Sequence, residues 1–168
     1  ATTYVYDGLD RIKTETTMSG PRQFTYDVNG NLGSTVDRNN RNTRYTYNRD
    51  DKVTFEGWYA SVNDAFASYV GTIETYYDDL GRLSEQQMFR KTVAGAFDYR
   101  ATDSYLYDGL DRVIEHSNQS LRDPAGRYSA TSGNVPIPAL KQTYAHGFDS
   151  SGQTVTREQF IAGQFAAS

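Results

Sequence analysis

His116 and His146 are the only imidazoles in the chain. A nucleophilic triad would need one of them beside a serine and an orienting acid. No Gly-x-Ser-x-Gly turn exists to present such a serine. No pair of histidines has metal-ligand spacing, and there is no Cys to supply a thiolate. His146 falls at a repeated aromatic position, where packing within a strand explains it. The many Asp and Asn residues offer hard oxygen ligands for calcium. They do not form an Asp-x-Asp-x-Asp run with Gly at the sixth place, and turn chemistry accounts for them. Fourteen Tyr and one Trp offer rings that could stack on sugars or bases. Stacking on bases also needs a basic groove. The net charge of −4 supplies no electrostatic footprint for nucleic acid or an anionic membrane. The candidate sugar contacts are Trp58, Tyr59, Tyr69 and Tyr99, which lie in the longer connections. No cofactor and no catalytic group are expected.

The elements that position these residues are set by a repeat. Tyr4-Val5-Tyr6-Asp7-Gly8-Leu9-Asp10-Arg11-Ile12 returns almost verbatim at Tyr105 to Val113. Weaker copies place the marker Asp or Asn at Asp27, Asn48, Asp78 and Asp149, at intervals of 20, 21, 30, 30 and 41 residues from Asp7 through Asp108 to Asp149. A unit constant at one end and variable at the other is a tight turn with an adjustable return. Asp favours the first position of a type I turn. A following left-handed residue closes a three-residue hairpin loop with a bulge. That left-handed place holds Asp10, Gly30, Asp51, Gly81, Asp111 and Gly152, the residue types that best tolerate positive φ.

This turn predicts a register. Asp7 faces Arg11, Asp78 faces Arg82 and Asp108 faces Arg112, either as ion pairs or with the Asp capping turn amides. One step out, Tyr6 pairs with Ile12, Tyr26 with Leu32, Tyr47 with Val53, Tyr77 with Leu83 and Tyr107 with Val113. Aromatic against aliphatic is a stabilising cross-strand pair. Tyr4, Phe24, Tyr45, Thr75, Tyr105 and His146 stand two residues further back on the same face. Period-2 alternation of this kind specifies strands. The tyrosines form a ladder that packs the sheet, each hydroxyl finding a partner.

The long connections read as further hairpins. Thr54–Tyr59 runs to a turn signal at Asn63-Asp64 and returns from Phe66; alternatively Asn63 caps one helical turn through Ala67. Gln86–Phe89 turns at 93–96 and returns through Phe97 and Tyr99. Pro124, Gly126, Gly133, Pro136 and Pro138 mark an irregular loop at about 117–138. A strand from Thr154 to Ile161 precedes a frayed small-residue tail, 162–168.

A chain of 168 residues suits one domain, 1–168, burying roughly 70% of its unfolded surface if compact. Its apolar runs fall far short of a transmembrane helix, which needs ~20 residues. Ala1-Thr2-Thr3-Tyr4 is not a signal peptide and reads as a cut within a strand, so a longer parent chain is expected. The fold class is all-β: stacked antiparallel hairpins in one strongly curved sheet, either open or closed as a small or spiral barrel.

The pattern resembles the tyrosine-aspartate (YD) repeats of the RHS family, which includes bacterial RHS proteins, toxin-complex shell proteins and teneurins. The resemblance rests on Tyr6-Asp7, on Phe24 to Leu32, on Tyr77 to Leu83 and on Tyr107 to Arg112, with Thr35 to Tyr47 as the return stretch. It spans residues 4 to about 157. It implies hairpins spiralling into a hollow shell, which in bacterial members encloses a C-terminal toxin; carbohydrate binding is also attributed to such repeats. It implies an extracellular or cell-surface setting, and partners met through sheet edges: the rest of the parent chain, neighbouring copies, or glycans. No nucleic acid and no membrane insertion are expected. Asp10, Asp51 and Asp111 depart from the family Gly, Asn48 from Asp, Phe148 from Tyr and Thr154 from the aliphatic. Asp123-Pro124-Ala125-Gly126-Arg127-Tyr128 is similar to an Asp-Pro-x-Gly element tied to self-cleavage in some RHS members. With a further repeat after it, it is read as a turn.

Overall fold

Tyr-, Thr- and Val-rich segments between Asp- and Gly-bearing loops fold as strands throughout the computed structural model, which describes residues 1–91, 97–122, 135–136, 140–148 and 154–162. In chain order these are β1 (Thr3–Tyr6), β2 (Ile12–Thr17), β3 (Gly20–Tyr26), β4 (Leu32–Val36), β5 (Asn42–Tyr47), β6 (Val53–Tyr59), β7 (Gly71–Tyr77), β8 (Leu83–Lys91), β9 (Phe97–Tyr107), β10 (Val113–Arg122), β11 (Val135–Pro136), β12 (Leu140–Phe148) and β13 (Thr154–Ala162). Among the described residues one 3-10 turn, Phe66–Ser68, interrupts them. The pairings are antiparallel, as hairpin connections require.

Two compact units divide the chain, Ala1–Glu74 and Thr75–Ser168. In the first, β1 through β6 pair successively, and β7 joins β6 through Gly71 to Glu74. In the second, β8, β9, β10, β12 and β13 pair successively, with β11 added beside β10. Among the described residues β1 pairs only with β2, and β13 only with β12, so neither unit closes into the barrel that was one expectation. The stretch read as a loop at 117–138 is partly strand: β10 continues to Arg122, and Val135–Pro136 pair with Arg122 and Leu121. The Asp-Pro element and the 162–168 tail beyond Ala162 lie outside the described residues.

Register follows the turns. Tyr6 opposes Ile12, Tyr26 opposes Leu32, Tyr47 opposes Val53 and Tyr107 opposes Val113, as the repeat requires. Each of these pairs borders a register slip, for example between Val5 and Tyr6 and between Thr25 and Tyr26. A slip of one residue is a bulge, which bends the strand and increases its twist.

Little of this sheet is deeply covered. Among the described residues, Tyr59 and Ala101 are the buried hydrophobics, and Asn42 and Thr72 the buried polar residues. Three of these four gather where the β6–β7 connection packs on the first unit. Phe66 lies 5.1 Å from the Phe55 ring and 6.4 Å from the Tyr59 ring, and Tyr69 meets Phe55 edge-on at 6.2 Å. Arg44 secures the connection by donating to the carbonyls of Val62 and Asp64, at 3.1 and 2.7 Å. Gly57 is buried in this packing; a Cβ there would stand 2.6 Å from the Phe55 ring and 3.0 Å from the Tyr59 hydroxyl. The 3-10 turn has Ala65 at its start and no side-chain cap, so Asn63 is not its cap.

Candidate functional site

The repeated turn is the most regular chemistry in the molecule. At Asp7, Asp27, Asn48, Asp78 and Asp108 the first residue's amide donates to the carbonyl of the fifth at 2.8 to 2.9 Å. The fourth residue's amide donates back to the first carbonyl at 2.8 to 3.3 Å. The fourth residue is left-handed in every described copy: Asp10, Asp51 and Asp111 have φ of 60, 56 and 61°, and Gly30 and Gly81 have 95 and 75°. Asp149 and Gly152 lie outside the described residues. A sixth described copy, Asp37 to Arg41 with Asn40 at φ 62°, joins β4 to β5 at the other ends of the strands. It escaped the sequence pattern because Val36, not an aromatic, precedes its Asp. The five-residue frame of Asp, two variable residues, Asn and Arg would have found it.

The first side chain does both jobs that sequence left open. Asp7 Oδ1 accepts from the amides of Leu9 and Arg11, at 2.9 and 3.0 Å, while Oδ2 accepts from Arg11 Nε at 2.8 Å. Asp37, Asp78 and Asp108 repeat this with Arg41, Arg82 and Arg112. Asn48 makes the amide half, its Oδ1 accepting from the amides of Asp50 and Lys52. The hydrogen bond from the Arg112 side chain, then that from its amide, lowers the Asp108 carboxyl to about 2. Asp7 and Asp37 are lowered chiefly by the Arg11 and Arg41 side chains, and Asp78 chiefly by the Arg82 amide.

A second set of bonds joins several of the repeats to the one before. The Tyr26 hydroxyl donates to the Ile12 carbonyl at 2.9 Å, Tyr47 to Leu32 at 2.9 Å, and Tyr107 to Leu83 at 2.8 Å. His146 Nε2 lies 2.6 Å from the Val113 carbonyl and is the donor there. Register explains why a histidine takes a tyrosine's place. From the pairs Thr14↔Gln23, Ser34↔Arg44, Glu85↔Ser104 and Glu115↔Thr143, each acceptor lies two residues before the first member. Each donor lies three residues after the second. Counted from the turn, Phe148 would be the rung, and it has no hydroxyl; counted across the strands, His146 is. His146 therefore does more than pack at an outer aromatic position.

The turn arginines complete this junction. Arg11 lies over the Tyr26 ring at 4.3 Å and Arg82 over the Tyr107 ring at 4.6 Å. A guanidinium on an aromatic face is attractive. Arg82 NH1 also reaches Asp111 Oδ1, the next turn's left-handed residue, at 2.6 Å. Asn31 Nδ2 reaches Asp51 Oδ1 in the same way, at 2.6 Å. An Asp at that place thus has an inter-repeat acceptor role that a Gly cannot fill.

The candidate sugar contacts separate. Tyr59 is only 1% exposed, with its hydroxyl on the Phe66 carbonyl and Arg44 over its ring, so it has no face for a sugar. Burial raises its phenol above the usual range. Trp58 is half-buried and donates from Nε1 to Glu56 at 2.7 Å. Tyr69 is half-buried against Phe55. The side chain of Tyr99 lies outside the described residues. His116 stacks on Tyr105 at 4.6 Å and meets Asp103 Oδ1 at 2.9 Å. Asn118 takes the same oxygen at 2.8 Å, and no nucleophile is positioned on this pair by any bond described. Among the described residues no group of three or more His, Asp or Glu is placed to hold a metal ion. No helix among them is long and apolar enough to cross a membrane.

Solved structures that it resembles include toxin-complex chains. One is from the Photorhabdus luminescens Tc holotoxin pore with a TccC3 point mutation, at 14% identity and a TM-score of 0.48, covering 97% of this chain and 9% of that one. Another is the TcdB2-TccC3 structure without its hypervariable C-terminal region, at 16% identity and a TM-score of 0.43, covering 96% of this chain and 9% of that one. No family model and no curated protein matches the sequence.

Proposed function

We propose that this chain is a non-catalytic wall segment of a secreted or cell-surface shell built from YD repeats. The observation that carries the reading is where the reactive side chains are directed. Tyr26, Tyr47, Tyr107 and His146 all bond the backbone one repeat behind. The turn acids bond their own loops, and Asp51 and Asp111 bond the turn before. These groups serve the continuity of hairpins rather than a ligand. The YD resemblance, running through nearly the whole sequence, supplies the expectation of a shell and of its setting.

The parent reading frame tests this. A wall segment belongs to a chain with many more such turns and a distinct C-terminal region. In the purified parent protein that region should resist protease until the repeats are unfolded. A parent no longer than this chain, or a C-terminal region digested at the rate of an isolated peptide, would overturn the proposal.

A further inference from the structure

Asn-Gly and Asp-Gly pairs are where a chain can react with itself. Glycine has no Cβ, so its amide nitrogen can approach the side-chain carbonyl carbon of the residue before it. Asn29-Gly30 is the one Asn-Gly pair of this sequence, and Asp7-Gly8 and Asp108-Gly109 are its Asp-Gly pairs. All three lie in the repeated turn, but their side chains are engaged differently. Asp108 accepts from the amides of Leu110 and Arg112 at 2.9 and 3.0 Å and from Arg112 Nε at 2.7 Å. Asp7 is held in the same way by Leu9 and Arg11. Closing a ring onto the next amide needs a carboxyl that is neutral and free to turn. Asp108 is kept at about 2. Above both values it presents roughly a hundredfold less neutral carboxyl than an Asp at ~3.9.

Asn29 differs on both counts. Its amide group is already neutral, the residue is exposed, and among the described residues no hydrogen bond holds its side chain. Its backbone amide donates to Asp27 Oδ1 at 2.9 Å, which leaves the side chain to turn freely at the loop tip. Gly30 is exposed too, at φ 95°, and its amide donates to the Asp27 carbonyl at 3.2 Å, the long end of the ordinary range. Arg11 NH1 would stand 3.6 Å from a Cβ built on Gly30, so a guanidinium lies beside this residue. A nearby cation favours the ionised form of a group that must lose a proton to react.

We infer that Asn29 is a self-modification site, where the folded chain converts its own amide to an acid. The Gly30 nitrogen gives its proton to solvent and bonds to Asn29 Cγ. The Cγ–Nδ2 bond breaks, and Nδ2 takes up a proton and leaves as ammonia. The product is a five-membered succinimide. One water then opens it, hydroxyl to carbon and proton to nitrogen. Opening at Cγ restores the ordinary backbone with Asp at position 29. Opening at the Asn29 backbone carbonyl carbon leaves isoaspartate, with the chain routed through the side chain. The sum is amide plus water to acid plus ammonia, with no change of oxidation state. Isoaspartate adds one backbone atom inside the five-residue frame that Asp27 N closes onto the Asn31 carbonyl at 2.8 Å. The Tyr26↔Leu32 register and the Asn31 bond to Asp51 both depend on that frame.

The test incubates the full folded chain in mildly alkaline buffer and follows its tryptic peptides by mass spectrometry, against synthetic Asp and isoaspartate standards and the unincubated chain. A gain of about 1 Da should grow in the peptide of residues 23–38, with both products present and ammonia released in equal amount. Isoaspartate should not accumulate at Asp7 or Asp108. Asn29→Gln lengthens the side chain past the five-membered ring. Gly30→Asp puts a Cβ and a negative charge beside the attacking nitrogen, at a place where Asp10, Asp51 and Asp111 show that the turn accepts Asp. Each should slow the gain about tenfold or more. An unchanged thermal midpoint will show that both variants fold. Three results would overturn the inference: an Asn29 that stays intact while the urea-unfolded chain converts, isoaspartate forming first at Asp7 or Asp108, or an undiminished gain in Gly30→Asp.

Discussion

Asp108 carries the clearest titration signal. Its carboxyl is held at about 2 by Arg112, and Asp7, Asp37 and Asp78 are lowered by their own arginines and amides. An unfolded Asp titrates near ~3.9. A folded value below that contributes stability that is fully present above the unfolded pKa and disappears as pH falls through the folded one. The thermal midpoint should therefore be flat from neutral pH to about pH 5 and drop between about 4 and 2. Carboxyl carbon NMR should show Asp108 protonating near 2; protonation at an ordinary Asp value would dissociate Arg112 from the turn. The left-handed residues give a second contrast. Asp10→Gly removes a positive-φ cost and should be neutral or stabilising by roughly 0.5–1 kcal/mol in urea unfolding. Asp111→Gly relieves the same backbone but loses the Arg82 bond, so its change should be less favourable. Equal effects of the two would mean that the Arg82–Asp111 contact adds nothing.

Hairpins, rather than single residues, decide how much of the structure was legible. The turn was readable because only a few residue types accept positive φ, so chemistry at one place betrays the backbone. The pairs Tyr6↔Ile12 and Tyr26↔Leu32 followed from loop length, which fixes register. The rung at His146 was not readable as such. It depends on counting across β10 and β12, and no local signal carries that count. Burial of Tyr59 was equally hidden, because it depends on the 60–70 connection returning over β6. Two substitutions test these elements. Tyr47→Phe deletes the donor to the Leu32 carbonyl and should cost about 1 kcal/mol in urea unfolding, with faster amide exchange in β4 and β5. No change would remove the rung from the stabilising contacts. Gly57→Ala places a methyl against the Phe55 ring and the Tyr59 hydroxyl and should cost about 1–3 kcal/mol. Near-wild-type stability would mean the connection packs more loosely than these distances describe.

Among the described residues the pattern is nearest-neighbour. Few side chains are buried outright, and each described rung looks one repeat back. A single hairpin is marginal in water, so such repeats gain stability only from neighbours. That dependence fits the wall proposed for this chain. The half-buried Trp58 and Tyr69 follow the same logic, each meeting a residue of its own unit. Electron cryo-microscopy of the purified parent protein tests the central claim most directly. The account predicts that these hairpins lie side by side within a continuous β-wall around an enclosed space. Density showing this segment as an isolated domain, with β1 facing solvent and no wall joined to it, would contradict the account.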